Sequence, residues 1–302
     1  MALRQQSKRS RKETVEGYLC IAPWLIGFVC LTLGPVIFSF VISLTKWDMI
    51  SPPRMVGLEN YATIFTDDFR FRQSLKVTGL YAAFAVPLGV VCSLALAMLL
   101  NLKVRGMRVF RSIFYIPAIL PPVAVSMVWL MVFKPHGGIF NTMLGWLHIA
   151  PVPWLTSTEW ALPSFVIMSI WGVGGGMIIY LAGLQSVPTQ LYEAAEIDGA
   201  GGWKKFRHVT LPMISPTIFF NVIMGLIGSF QVFTSSFIMT QGGPAYSTLF
   251  YVLYLYQKAF KYLQMGYACA LAWILFAIIL ALTLVVFKTS ARWVYYEADV
   301  KK

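Results

Sequence analysis

Charge is what this chain has least of. Of its 302 residues only 12% are charged, and 58% are hydrophobic. A soluble domain carries about twice that share of charge, so a disordered chain and a soluble two-domain enzyme are both excluded. Cysteine is scarce as well. Cys20, Cys30, Cys92 and Cys269 all lie in apolar stretches without metal-ligand spacing. That excludes a disulfide scaffold or a thiolate metal site and leaves four small hydrophobes. The three histidines (His136, His148, His208) join no Ser-His-Asp or paired-carboxylate arrangement. No G-x-x-x-x-G-K-[ST] phosphate cradle is present. The glycine-rich run Gly172-Val173-Gly174-Gly175-Gly176 lies inside an apolar stretch with no following lysine, so it reads as close helix contact or a kink. Apolar runs such as AFAVPLGVVCSLALAMLL do not alternate, which argues against a membrane β-barrel.

Long charge-free runs are what the chain does have. Residues 17–45, 77–102, 112–133, 160–192, 209–257 and 262–287 contain no Asp, Glu, Lys or Arg. A spanning helix needs about 20 apolar residues. Trimmed to helix length, the runs give six spans near 18–44, 78–101, 111–133, 161–185, 213–239 and 264–287. The chain is expected to be an all-α membrane protein with six transmembrane helices. The first span is too long for a cleaved signal peptide, and no A-x-A-like site follows it. Residues 135–158 carry Pro135, Gly137, Gly138, Pro151 and Pro153 and read as loop plus surface helix. Residues 249–260 are too short to span and read as another surface helix. Pro35, Pro87, Pro121, Pro122 and Pro216 inside spans predict irregular, tightly packed helices.

The net charge of +12 is topological. Six spans put both termini on one side. That side holds five Lys and Arg in the N-terminal tail (Arg4, Lys8, Arg9, Arg11, Lys12) and four after span two (Lys103, Arg105, Arg108, Arg111). It holds three after span four (Lys204, Lys205, Arg207) and four at the C-terminal end (Lys288, Arg292, Lys301, Lys302). The positive-inside rule places both termini in the cytoplasm. No nucleic-acid partner is needed to explain the basic balance. The expected division is a cytoplasmic tail over 1–17, a transmembrane domain over 18–290 and a second cytoplasmic tail over 291–302.

One cytoplasmic loop, SVPTQLYEAAEIDGAGGWKKFRHVTLP over residues 186–212, reads as helix, turn, helix. Pro188 suits a first helical turn. Gly199 suits the left-handed position that ends a helix, and Trp203 to His208 can form a second, basic helix. The loop has an acidic half (Glu193, Glu196, Asp198) and a basic half (Lys204, Lys205, Arg207), which together make a compact docking surface.

The residues of this loop carry a resemblance. Glu193-Ala194-Ala195, Gly199, Val209 and Leu211-Pro212 stand at the spacing of the EAA loop, so the chain resembles the permease subunits of ABC importers. AGLQSVP, IDGA, the segment RSIFYIPAILPPVAVSMVWLMVF, Gln241-Gly242-Gly243-Pro244 and GYACA are similar to the carbohydrate-uptake branch, in its short, six-span, maltose-permease F type. The resemblance covers roughly residues 75–290 and implies a type I importer permease architecture in a bacterial or archaeal cell membrane. It implies a non-enzymatic subunit moving a sugar or related polyol into the cytoplasm. Its implied partners are a second permease subunit, a cytoplasmic ATP-binding subunit dimer that holds the ATP and Mg, and an extracytoplasmic solute-binding protein. It also implies that Glu193, Ala194, Ala195, Asp198, Gly199, Leu211 and Pro212 couple the chain to the ATPase. Glu193 would pair with a basic ATPase residue, and the small Ala194 and Ala195 would allow close approach. The alternative is a self-contained carrier or channel. Ion-coupled carriers generally need intramembrane acids or His, and none lies in these spans.

Span five offers a candidate substrate path. At about 100° per residue, Asn221, Gly225, Gly228, Ser229, Gln231, Ser235 and Ser236 share one face. Ile223, Leu226, Ile227, Phe230, Phe233, Phe237 and Ile238 take the other. A small-and-polar face serves either helix packing or a transport path, and the resemblance favours the path. Trp171 in span four could stack on a sugar ring or serve packing.

Overall fold

The computed structural model describes residues 2–102 and 104–295, with side chains from residue 13 onward. Lys103, Lys301, Lys302 and the side chains of the N-terminal cations, all in the charge count above, lie outside the described residues. So does part of the expected 291–302 tail.

In chain order the elements are α1 (Ala2–Phe28), α2 (Gly34–Ser43), β1 (Thr45–Lys46), β2 (Arg54–Met55), α3 (Glu59–Thr66), α4 (Phe69–Leu100), α5 (Met107–Ile119), α6 (Pro122–Val132), α7 (Ile139–Trp146), α8 (Ala161–Trp171), α9 (Gly174–Ser186), α10 (Thr189–Ile197), α11 (Gly202–Lys205), α12 (Leu211–Met213), α13 (Ser215–Phe230), α14 (Thr234–Met239), α15 (Tyr251–Tyr256) and α16 (Met265–Ser290). Four stretches are long and apolar enough to cross a membrane: Glu13–Ser43, Phe69–Leu100, Ser215–Met239 and Met265–Ser290. The number is six if α5 with α6 and α8 with α9 each count as one bent span. These match the six stretches expected from the charge-free runs.

Prolines account for the deviations in spans one and three, whereas Pro87, expected to disturb span two, lies inside the uninterrupted α4. Ahead of Pro35 a wide turn over Val29–Leu33 lets the Gly34 N–H reach back to the Val29 carbonyl, a π-type bulge that absorbs the missing donor. Span three, expected as one helix over 111–133, is instead two helices meeting at 98°. Leu120 and Pro121 are extended there, with ψ near 140° and 135°. Pro121 biases Leu120 away from the helical region, and Pro122 opens the next helix. Pro216 does not interrupt span five. It sits in the first turn of α13, where its missing N–H costs nothing.

Two compact units are recognisable, one formed by 2–66 with 258–273 and the other by 67–257 with the remainder of α16. In the first, β1 and β2 form a short antiparallel ribbon with Thr45 opposite Met55. Asn60 closes it by donating its amide to the carbonyls of Ser43 (2.8 Å) and Thr45 (2.9 Å). Trp273 donates its indole N–H to Ser39 Oγ at 3.2 Å.

In the second unit α4 packs on α8, α9 and α13. The glycines of α9 set the distances. A Cβ at Gly176 would lie 2.8 Å from Ser93 Oγ and 3.2 Å from Asn221 Oδ1, and one at Gly183 would lie 2.7 Å from Thr217 Oγ1. Small residues let helix backbones approach where lipid gives no hydrophobic drive. Towards the end of α4 the packing becomes a buried apolar cluster of Leu94, Ala97, Leu100, Met177, Tyr180, Leu181, Leu184, Val187 and Ile214.

The 135–158 connection contains α7, as expected. Asn141 holds the connection together. Its amide donates to the carbonyls of Pro135 and Val152 at 2.9 Å, and its Oδ1 accepts from Val152 N–H (3.0 Å) and the Trp154 indole (2.9 Å). The expected surface helix within 249–260 is present as α15, but it is buried. Tyr251, Leu253 and Tyr254 are almost wholly covered, Tyr251 N–H is held by Thr78 Oγ1 at 2.9 Å, and the Tyr254 hydroxyl donates to Asp68. Its alternating aromatics serve α4 rather than a bilayer surface.

Candidate functional site

The 186–212 loop folds as helix, turn and helix. After Pro188 in extended conformation, α10 begins one residue later, at Thr189. It ends at Ile197, and the chain turns away at Gly199, where φ is +73°; Gly199 N–H bonds to Glu196 O at 3.0 Å and Ala200 N–H to Ala195 O at 2.8 Å. That left-handed glycine closure is the one expected from the sequence. The basic segment is α11 followed by a wide turn over Phe206–Thr210, which runs on into α12 and span five.

The loop has two faces. Tyr192, Phe206, Val209, Leu211 and Met213 pack against the buried cluster of α4 and α9. Tyr192 OH lies 3.0 Å from Thr210 Oγ1, which ties the two arms together. Pro212 sits in the first turn of α12, and its carbonyl accepts from Ser215 Oγ at 2.6 Å. Glu193, Ala194, Asp198 and Gly199 are exposed, and Ala195 is half-buried. Thus Leu211 and Pro212 anchor the loop, while Glu193, Ala194 and Asp198 face outward.

The acidic and basic halves are joined. Lys205 Nζ lies 2.6 Å from Glu196 Oε1. The hydrogen bond from Lys205 and then its charge hold the Glu196 carboxyl below the usual carboxylate range.

Two outward residues went unnoticed in the sequence. Ile197 is 88% exposed and Trp203 71% exposed, so two large apolar side chains flank an otherwise polar surface. The available signal was an aliphatic residue directly before Asp-Gly and a tryptophan beside two lysines. Exposed apolar groups rimmed by charge mark contact surfaces.

The span-five residues do not stay together. The helix breaks between α13 and α14: Gln231 N–H turns back to Gly228 O at 3.1 Å, and Phe233 has φ −134°. One helical wheel therefore cannot hold Ser235 and Ser236 with the rest. Asn221 faces Gly176 and donates its amide to Thr217 O at 2.9 Å. Ser229 is buried and donates to Leu226 O at 2.7 Å. Ser236 is buried on Thr248 O, and Ser235 is half-buried. Gly225, Gly228 and Gln231 are exposed, and Phe230 is buried.

Trp171, 37% exposed, sits at the edge of an aromatic cluster, its ring centroid 6.1 Å from that of Trp129. Phe133, Phe140, Trp154 and Trp160 continue the cluster. Beside it lies a cavity of about 660 Å³ lined by Phe133, Lys134, Thr156, Met239, Thr240 and Pro244, among others. Among the described residues no group of three His, Cys, Asp or Glu side chains comes together.

Three comparisons bear on this geometry. The family described as "Binding-protein-dependent transport system inner membrane component" matches residues 85–296. The probable ABC transporter permease protein YesP of Bacillus subtilis is 40% identical over 298 residues, covering 97% of this chain and 96% of that protein. The trehalose/maltose transport system permease protein MalF of Thermococcus litoralis is 32% identical, covering 94% and 96%. In fold, the chain superposes on a solved chain of a bacterial ABC transporter that imports the acidic polysaccharide alginate. The TM-score is 0.81 at 24% identity, covering 95% of this chain and 99% of the other.

Proposed function

The chain belongs to the family of inner-membrane components of binding-protein-dependent transport systems, and from that membership we propose that its cargo is a sugar or related polyol. It is a permease subunit of an ABC importer, not an enzyme, and it resides in the inner membrane. The cargo reading is supported by its likeness over nearly its whole length to a trehalose/maltose permease and by charge-free spans that suit a neutral polyhydroxyl solute. Exposed Gly225, Gly228 and Gln231 form the remaining candidate path. Trp171 stands by as a stacking face, and Asn221, Ser229 and Ser235 support the path from behind.

The 186–212 loop is the coupling element. One observation carries this reading: its inner face is anchored on the buried cluster of α4 and α9, while its outer face presents Glu193, Ala194, Asp198, Ile197 and Trp203. A passive connector has no need of two such faces. The partners are a second permease subunit, a cytoplasmic ATPase dimer that binds ATP and Mg, and an extracytoplasmic solute-binding protein. The loop and both termini lie in the cytoplasm, on the positive-inside argument.

The test is gentle extraction of the tagged chain with identification of the co-purifying proteins. An ATP-binding subunit and a second permease are expected with the wild type. Glu193→Lys should lose the ATPase, or keep it without transport, while still inserting. Wild-type uptake by Glu193→Lys refutes the coupling role.

A further inference from the structure

We propose that the cleft between the end of α4, the start of α5 and the end of α9 is a binding site for the headgroup of an anionic phospholipid. The inference uses only the chain's place in the inner membrane and is independent of which solute is carried. The cleft has a volume of about 500 Å³ and is lined by Asn101, Val104, Gly106, Arg108, Arg111 and Gln185, among others. No lining residue is acidic.

Two of these elements end here and the third begins here, on the same side of the bundle. α4 finishes its crossing at Leu100, α5 starts its own at Met107, and α9 ends at Ser186. The cleft therefore lies where three candidate spans begin or end, the level a headgroup region takes on this reading.

The two arginines differ in how they are held. Arg111 donates Nε (3.2 Å) and Nη2 (2.8 Å) to the Leu100 carbonyl at the end of α4. That fixes its guanidinium on the cleft wall with further N–H groups unused. Arg108 is exposed, and its guanidinium has no hydrogen bond or ion pair among the described residues. A fixed and a free guanidinium on one wall suit a phosphodiester, which accepts from both. Asn101 and Gln185 bring neutral amides that suit glycerol hydroxyls. Gly106 opens α5 at φ +84° with no side-chain cap, and α5 has no acid in its first turn, which adds the positive end of the helix to the field.

The neighbouring surface points to a lipid rather than a free anion. Val104, Val109, Phe110 and Ile113 are exposed beside the cleft, giving acyl chains an apolar wall directly next to the phosphate position. Basic pockets between transmembrane helices at a membrane surface bind anionic headgroups on this principle.

The experiment is native mass spectrometry of the complex as extracted from membrane. The complex is reconstituted in phosphatidylcholine nanodiscs with a graded fraction of phosphatidylglycerol, and the phosphatidylglycerol retained per complex is counted. Arg108→Gln should retain it about five-fold less well, the factor expected for one cation near a membrane surface. Arg108→Lys should keep most of the binding. Arg105→Gln, which removes the same charge outside the cleft, should match wild type. Because the Arg108 guanidinium makes no hydrogen bond or ion pair among the described residues, its loss leaves their packing intact. Equal retention by wild type and Arg108→Gln overturns the site. So does an equal loss in Arg105→Gln, which would mean diffuse attraction. Displacement of the lipid by inorganic phosphate at physiological concentration would make the occupant a free anion and also overturn it.

Discussion

Lys205 Nζ and Glu196 Oε1 stand 2.6 Å apart, and this contact bridges the acidic and basic arms of the loop across its glycine turn. Both side chains reach solvent, so the pair orients the arms more than it stabilises the fold. The Glu196 carboxyl is held below its ordinary value. A lowered folded-state pKa means the contribution is present above the ordinary carboxylate range and is lost as pH falls through the lowered value. At neutral pH the pair is therefore intact. The carboxyl carbon resonance of Glu196, assigned by its disappearance in Glu196→Gln, should titrate below the range of free glutamate. In Lys205→Met it should return to that range.

Ile197→Asp should leave stability within about 0.5 kcal/mol of wild type, the usual range for a surface change that breaks no contact. The same substitution should reduce co-purification of the ATPase at least ten-fold, about 1.4 kcal/mol of association. Trp203→Ala should act in the same direction. A thermal melt paired with quantification of the ATPase band separates the two effects.

The glycine run of α9 makes an ordered prediction. A Cβ at Gly174 would press on the backbone of Phe114 and Tyr115, with Phe114 C and Tyr115 Cα both at 3.0 Å, and backbone cannot swing aside. Gly174→Ala should cost about 1–3 kcal/mol, as overpacking does. A Cβ at Gly175 meets only the Ala118 methyl at 3.8 Å. Gly175→Ala should be neutral, or stabilising by up to about 1 kcal/mol from helix propensity. Melting temperatures of the purified complex carrying each variant rank them.

In span five, Phe230 is 5% exposed, whereas Gln231 is exposed at the helix break. Phe230→Ala should cost about 3–5 kcal/mol through the cavity it leaves, and it should show as a loss of inserted protein. Gln231→Ala should keep its expression level and lower sugar uptake per inserted molecule. Uptake normalised to membrane content checks both, and the reverse pattern removes Gln231 from the path.

The contrast between those two residues also marks how far the sequence could be read. Spans were legible because a single charge in hydrocarbon is costly, so charge-free runs located them, although α4 begins nine residues before the expected 78 and carries Arg70, Arg72 and Lys76 in its first turns. The loop was legible because Glu193-Ala194-Ala195, Gly199 and Leu211-Pro212 keep a spacing, and Gly199 took the left-handed conformation its position demanded. The bend at Leu120–Pro121 was not, because proline signals a break without fixing its angle. The break after Phe230 was less legible still. Gln231-Val232-Phe233 contains neither glycine nor proline, and the burial of Ser229, Phe230 and Ser236 overrides the helical period there. Tyr251 and Tyr254 misled for a different reason. An aromatic, half-apolar segment looks the same whether it faces lipid headgroups or a neighbouring helix. The approach of Asn221 to Gly176 was not legible at all, because it needs the packing of three helices.

The seating of Gly174 against Phe114 has a mechanical reading. α9 is an uninterrupted rod of 13 residues, about 20 Å at 1.5 Å per residue. One end leads into the 186–212 loop through Val187 and Pro188. The other end stops at the 45° joint with α8, where Gly174 bears directly on the backbone of α5. Span four is thus two straight segments whose change of direction is confined to Gly172, Val173 and Gly174, beside the fixed contact with α5.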